Sequence, residues 1–275
     1  MTNGDASSDD SSFVGGMTLE KLDVRGVELQ LSRAGSGRPL LLLDSGFSFE
    51  HDLAARLARR FEVFAPYHPG FGGSKRPDHI DTVDDLAYLY LDLMQQLDLR
   101  DVTIVGCSMG GWVAAEIAVR NSERLSRLVL VDSLGIKVSD RETRDIADIF
   151  AIYEEELMGL MFRDPAKFKI DAKALSEQAL ANIAEGRAAL ALYLWEPYAH
   201  NPKLLGRLGR IDIPTLVVWG ENDGLVSSEY GRKFAAAIPG SAFKIVPECG
   251  HLPQVERPDR LMEYIIEFAG DGRTR

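Results

Sequence analysis

The stretch Val102-Thr103-Ile104-Val105-Gly106-Cys107-Ser108-Met109-Gly110-Gly111-Trp112 decides how this 275-residue chain folds. Residues 102–105 form a short apolar run that reads as a buried strand, and residues 109–120 carry a helical pattern. Between them Gly106, Ser108 and Gly110 form Gly-x-Ser-x-Gly. A strand that feeds a helix through so short a turn forces the central residue into a strained conformation with its hydroxyl exposed. The flanking glycines let strand and helix approach closely. Ser108 would then stand at a helix N-terminus, with the Met109 amide aimed at any oxygen that develops negative charge beside it. The competing reading is a glycine-rich structural turn with an incidental serine.

Outward from this turn, short apolar runs at 39–43, 61–65, 128–131, 215–219 and 242–246 alternate with helical stretches at 51–60, 82–97, 227–237 and 259–269. That order implies an α/β fold with a mostly parallel, twisted sheet covered by helices on both faces. The helix at 82–97 is the clearest, with Val83, Leu86, Ala87, Tyr90, Leu93, Met94 and Leu97 on one face and Thr82 or Asp81 as N-cap. Residues 19–24 and 27–32 alternate around Arg25-Gly26, as a hairpin does. Residues 1–16 are rich in Ser, Asp and Gly and are expected to be a flexible tail. The core is expected over 17–134 and 209–275. Residues 135–208 have helical periodicity without a clear strand and are expected to form a helical cap over the carboxyl ends of the strands.

From residue 19 to the C-terminus the chain resembles the α/β-hydrolase superfamily, of the serine-nucleophile, capped kind. Ala65-Pro66-Tyr67-His68-Pro69-Gly70-Phe71-Gly72-Gly73-Ser74 is similar to the family loop usually written Asp-x-Pro-Gly-x-Gly-x-Ser, with Tyr67 where Asp is common. Its glycines do not make a P-loop, for no Gly-Lys-Ser/Thr follows. The resemblance implies that Ser108 is a nucleophile, which needs a base to take its proton and a third group to orient that base. Of the five histidines, only His251 follows the last core run, in Cys249-Gly250-His251-Leu252-Pro253, where the family places its base. His51, His68, His79 and His200 read as surface or loop residues, His68 near the pocket entrance. The family pattern Trp-Gly-x-x-Asp selects Asp223 in Trp219-Gly220-Glu221-Asn222-Asp223 as the acid, with Asp132, at the preceding strand end, as its rival. The oxyanion donors carried over from the family are the amides of Met109 and of Phe47. Aligned on its glycine, Asp44-Ser45-Gly46-Phe47 has Ser45 where relatives usually have His.

The cap segment offers Phe150, Tyr153, Leu157, Met161, Phe162, Tyr193, Trp195 and Tyr198, most of them expected to be its own core. Trp112, Tyr153, Phe162, Trp195 and Leu252 are expected to face the substrate, an apolar or aromatic small molecule. The implied reaction is cleavage of a carboxylic ester or lactone through an acyl-enzyme. An alternative is C–C bond hydrolysis of ring-cleavage products, whose enzymes commonly carry Trp where this chain has Leu252. Another is a ligand-binding receptor on the same fold. Epoxide and haloalkane hydrolases place Asp where Ser108 stands.

Composition excludes several other functions. With 42 Asp and Glu against 31 Lys and Arg, the net charge is −11 and no basic block is present, which argues against nucleic-acid binding. No apolar run approaches the roughly 18 residues that span a bilayer, and the acidic, Ser-rich start is unlike a signal peptide. A cytoplasmic protein without a membrane partner is expected. Cys107 and Cys249 lack zinc spacing and are expected to be free thiols; neither a metal nor a cofactor is expected. The sequence carries no signal of oligomeric state.

Overall fold

A computed structural model describes residues 13–14, 16–47, 51–168, 173 and 175–270. Strands β1 (Phe13–Val14), β2 (Met17–Val24), β3 (Val27–Gly35), β4 (Pro39–Leu43), β5 (Glu62–Pro66), β6 (Val102–Cys107), β7 (Leu125–Val131), β8 (Thr215–Gly220) and β9 (Ala242–Val246) form one sheet. Its order is β1-β2-β3-β5-β4-β6-β7-β8-β9. Pairing is antiparallel from β1 through β3 to β5 and parallel from there to β9. All six residues of β6 and all six of β8 are buried. Only a strand covered on both faces needs an unbroken apolar run. The β2–β3 turn places Arg25 at φ 53° and Gly26 at φ 86°. Two successive left-handed residues match the right-handed twist of the flanking strands.

Helices α1 (His51–Leu57) and α8 (Pro258–Ala269), the latter following α6 (Ser228–Ala236) and the short α7 (Pro253–Glu256), cover one face, where Leu53, Leu57, Leu261 and Ile265 pack on Val105, Val129, Val131 and Val218. Helices α2 (Val83–Gln96) and α3 (Met109–Arg120) cover the other, against Val102 and Ile104. Residues 102 and 105 thus point to opposite faces, as the period of two requires. Thr82, not Asp81, caps α2: its hydroxyl accepts the Asp85 amide at 3.2 Å while the Asp85 carboxylate accepts the Thr82 amide at 3.0 Å. β5 starts one residue later than its apolar run, because the Phe61 amide bonds back to the Leu57 carbonyl at the end of α1.

Two expectations differ from the structure. Phe13 and Val14, inside the expected tail, pair with Thr18 and Met17; residues 1–12 lie outside the described residues. The segment between β7 and β8 holds α4 (Glu154–Met161), α5 (Glu177–Tyr193) and 3₁₀ turns at Pro165–Lys167 and Leu205–Arg210, but residues 135–153 form no helix despite their periodicity. There Asp145 replaces a backbone partner: one carboxylate oxygen accepts the amides of Val138 and Ser139 and pairs with Lys137. Such side-chain acceptors compete with helix formation, and apolar spacing does not reveal them.

Candidate functional site

Ser108 joins β6 to α3 at φ 49° and ψ −113°, a region that non-glycine residues occupy at a cost of about 1–3 kcal/mol. The surrounding backbone holds it there. Its amide donates to the Val131 carbonyl at 2.9 Å, and its carbonyl accepts from the Trp112 and Leu134 amides at 3.2 Å. The glycines on either side are needed for contact: a Cβ on Gly106 would lie 2.4 Å from the Gly110 carbonyl oxygen, and one on Gly110 would lie 2.3 Å from that of Leu43. The helix therefore starts directly against the ends of β4 and β6.

The loops after β8 and β9 emerge beside this turn. Asp223 accepts the amides of Leu225 and Val226 on Oδ1, at 2.9 and 3.0 Å, which leaves Oδ2 for the ring of His251. His251 Nδ1–H donates to that oxygen at 2.8 Å, and the Ser108 hydroxyl donates to Nε2 at 2.8 Å. All three residues are buried. A carboxylate can only accept, so it fixes the proton on Nδ1 and leaves the Nε2 lone pair facing the hydroxyl. This arrangement can draw a proton from a serine and stabilise the imidazolium that results.

Asp132, at the end of β7, does not reach the ring. Its Oδ1 accepts the Gly220 amide at 2.8 Å, while Oδ2 is buried without a partner. Burial, and next the charge of Asp223, pushes its carboxyl well above the usual range. A neutral carboxylic acid beside an ionised one is the arrangement two buried carboxyls favour. Ligand atoms of Asp132, Asp223 and His251 lie within 4.8 Å of one another. Both ring nitrogens are already engaged, however, which leaves a poor donor set for a metal ion. Burial also pushes the Cys249 thiol up, which keeps it a weak nucleophile.

The Asp44–Gly46 turn borders Met109: a Cβ on Gly46, at φ 86°, would lie 3.6 Å from Met109 Cε and 2.8 Å from Leu190 Cδ1. Asp44 accepts the Gly46 amide at 2.6 Å, and the Phe47 amide donates to the Ser45 hydroxyl at 3.2 Å. That last bond is long, and an anionic oxygen would compete with a neutral hydroxyl for the same donor. His68 lies in the loop after β5, as expected, but is fully buried there and not at the surface. Its Nε2–H donates to the Asp44 carbonyl at 3.1 Å, and Tyr90 Oη–H donates to Nδ1 at 2.5 Å. The ring thereby anchors the turn from behind.

The expected substrate-facing residues do not all converge. Phe162 and Leu252 are buried beside the His251 loop, Phe162 stacked on Phe168 with ring centroids 4.7 Å apart. Trp112 is buried, its indole N–H donating to Glu116 at 3.1 Å and its ring packed under Gly135. Tyr153 and Trp195 are 88% and 70% exposed and face solvent. Tyr153 is the extended residue before α4, whose inward positions are Leu157 and Met161, and Trp195 follows the end of α5 beyond the inward Tyr193 and Leu194. The residues of α5 that do meet the site loops are Gly186, Ala189, Leu190 and Tyr193. A Cβ on Gly186 would stand 3.2 Å from the Phe71 ring, and Tyr193 donates to the Pro69 carbonyl at 2.9 Å. Their i, i+3, i+4, i+7 spacing is a signal of a buried helix face that the sequence carries.

Residues 42–258 match the family model described as the alpha/beta hydrolase fold. The chain is 29% identical over 261 residues to the 2-hydroxy-6-oxo-6-(2'-aminophenyl)hexa-2,4-dienoic acid hydrolase of Metapseudomonas resinovorans, covering 88% of each protein. Among solved structures, a serine hydrolase involved in carbazole degradation superposes with a TM-score of 0.71 at 25% identity, covering 92% of this chain and 98% of that one. A carboxylesterase from Bacillus subtilis shares the fold, with a TM-score of 0.70 at 19% identity over 92% of each chain. Among the described residues no helix is long and apolar enough to cross a membrane.

Proposed function

The chain belongs to the α/β-hydrolase family, and from that premise we propose that it cleaves a carboxylic ester or lactone of an apolar small molecule through an acyl-enzyme. The observation that carries this reading is the unbroken line from Asp223 Oδ2 through the His251 ring to Ser108 Oγ, with 2.8 Å at each step. In the first half-reaction Ser108 Oγ attacks the acyl carbon while His251 Nε2 takes its proton. The carbonyl oxygen becomes anionic and is met by the amides of Met109 and Phe47. Collapse of this intermediate expels the alkoxide, which leaves with the proton from His251. In the second half-reaction a water molecule gives its proton to His251, attacks the acyl carbon, and releases the acid as Ser108 regains its proton.

The insertion between β7 and β8 acts as the cap in this reading. Leu190 borders the Asp44–Gly46 turn, and the buried Met161 and Phe162 lie where the insertion meets the His251 loop, which suits an apolar acyl or alcohol group. C–C bond hydrolysis is the second reading, favoured by the named activity of the Metapseudomonas relative; Leu252 after His251 weighs against it. Turnover of p-nitrophenyl butyrate and of a 2-hydroxy-6-oxo-dienoate, measured side by side, separates the two. Ester cleavage at a kcat/KM well above that for the dienoate supports the first reading, and the opposite order replaces it with the second. Strong thermal stabilisation by both compounds without turnover of either would mark a receptor.

A further inference from the structure

Glu256, the last residue of the short helix α7 (Pro253–Glu256), is a buried carboxylate that takes no part in the chemistry above. Both of its oxygens are bonded to backbone. Oε2 accepts the amide of Gly250, the residue before His251, at 2.5 Å. Oε1 accepts the amides of Arg163 and Asp164, at 3.0 and 3.4 Å, just beyond the end of α4. One side chain thus joins the base loop to the helical insertion, across more than 90 residues of sequence.

Two further bonds run alongside it. The His251 amide donates to the Met161 carbonyl at 2.8 Å, and the Gly224 amide, next to Asp223, donates to the Leu160 carbonyl at 3.0 Å. The last carbonyls of a helix have no partner within it, and here they are spent on the loops that carry the base and the acid. Contact is tight, since a Cβ on Gly250 would lie 2.3 Å from the Met161 carbonyl oxygen. We propose that Glu256 is a positioning residue: its carboxylate clamps the backbone before His251 to the end of α4 and so holds the imidazole between Ser108 and Asp223. This rests on the Ser108–His251–Asp223 reading of the site.

The chemistry calls for a carboxylate. A glutamine at 256 would have one acceptor oxygen, and its amide nitrogen would face an amide N–H with which it cannot bond. Glu256→Gln should open one arm of the clamp while keeping the side chain's size. A misplacement of about 1 Å in a reacting group can cost about 100-fold in rate. In the full chain, Glu256→Gln is expected to lower kcat for p-nitrophenyl butyrate about 10- to 100-fold with KM changed less than about two-fold, and to slow fluorophosphonate labelling of Ser108 by a similar factor. Wild-type kcat and labelling in a variant whose Gly250 and His251 amides exchange faster would overturn the proposal.

Amide hydrogen exchange keeps the clamp separable from the reaction. Should the wild-type protein neither label nor turn over esters, the serine reading falls, yet faster exchange at Gly250 and His251 in Glu256→Gln still supports the clamp and unchanged exchange overturns it. Should Glu256→Gln fail to fold, the wild-type protein decides: the Gly250 and Arg163 amides must exchange through one common opening, and distinct opening equilibria would overturn the clamp.

Discussion

The two sides of the candidate site are held by different forces. On the sheet side, Ser108, Asp223 and His251 are fixed by short hydrogen bonds, and the positive φ angles of Ser108 and Asp132 are imposed by neighbouring strands. On the insertion side, α5 meets the site through Gly186, Ala189 and Leu190, packed against Phe71, Gly70 and Gly46. Strained, directional geometry persists only where a rigid scaffold over-determines it, and it suits groups that must meet reacting atoms. Packed apolar side chains can be exchanged at modest cost, which suits the choice of substrate. The end of α4 belongs with the sheet side, since its carbonyls and Glu256 bind it to the base and acid loops.

The contrast makes graded predictions. On the sheet side Asp223→Asn should lower kcat by about 10⁴-fold with little change in KM, the loss seen when a triad acid can no longer fix its histidine. Asp132→Asn should change kcat only a few-fold, because the ring of His251 bonds to Asp223. Turnover that survived the first change and collapsed on the second would reverse the two carboxylates. On the insertion side Leu190→Ala should raise KM for an apolar ester about 10-fold, the worth of a few methylene contacts, while kcat stays within about two-fold. Equal loss in kcat would move Leu190 from substrate choice to chemistry.

A smaller effect tests the neutral state of Asp132. Its folded pKa is raised, so in the folded state it keeps a proton that the unfolded chain releases above about pH 3.9. Stability present below that value is lost as pH rises toward the folded pKa. Asp132→Asn cannot lose a proton, so its Tm relative to wild type should climb as pH rises above about 4; a difference independent of pH would show that Asp132 is charged in the fold. Smallest of all, Trp195→Ala and Tyr153→Ala should leave kcat and KM unchanged, because both side chains face solvent. A raised KM in either would mean that the exposed face of the insertion touches substrate.

Much of the sheet was legible because its signals are local. β4 and β9 coincide with their apolar runs, and α3 begins at Met109, directly after the serine of Gly-x-Ser-x-Gly. Ser108, Asp223 and His251 were nameable because each follows a strand in a recognisable family pattern, although 143 residues separate the first from the last. Other features depend on partners distant in sequence. Nothing around Glu256 marks it as an acceptor for amides of residues 163, 164 and 250. Likewise His68 carries no local sign that Tyr90 and the Asp44 carbonyl would enclose it. Within 135–153 the amides of Val138 and Ser139 bond to the Asp145 carboxylate and not to helix carbonyls, a competition that apolar periodicity does not reveal.

The central claim is that Ser108 is the nucleophile and His251 its base. It is tested most directly by fluorophosphonate labelling of the full chain, read by intact mass and peptide mapping, in wild type, Ser108→Ala and His251→Ala. The account predicts one adduct, on Ser108, absent in Ser108→Ala and formed at least about 10³-fold more slowly in His251→Ala, since the hydroxyl without its base is a poor nucleophile. An adduct that persists in Ser108→Ala, or labelling of Ser108 at the wild-type rate without His251, would contradict it.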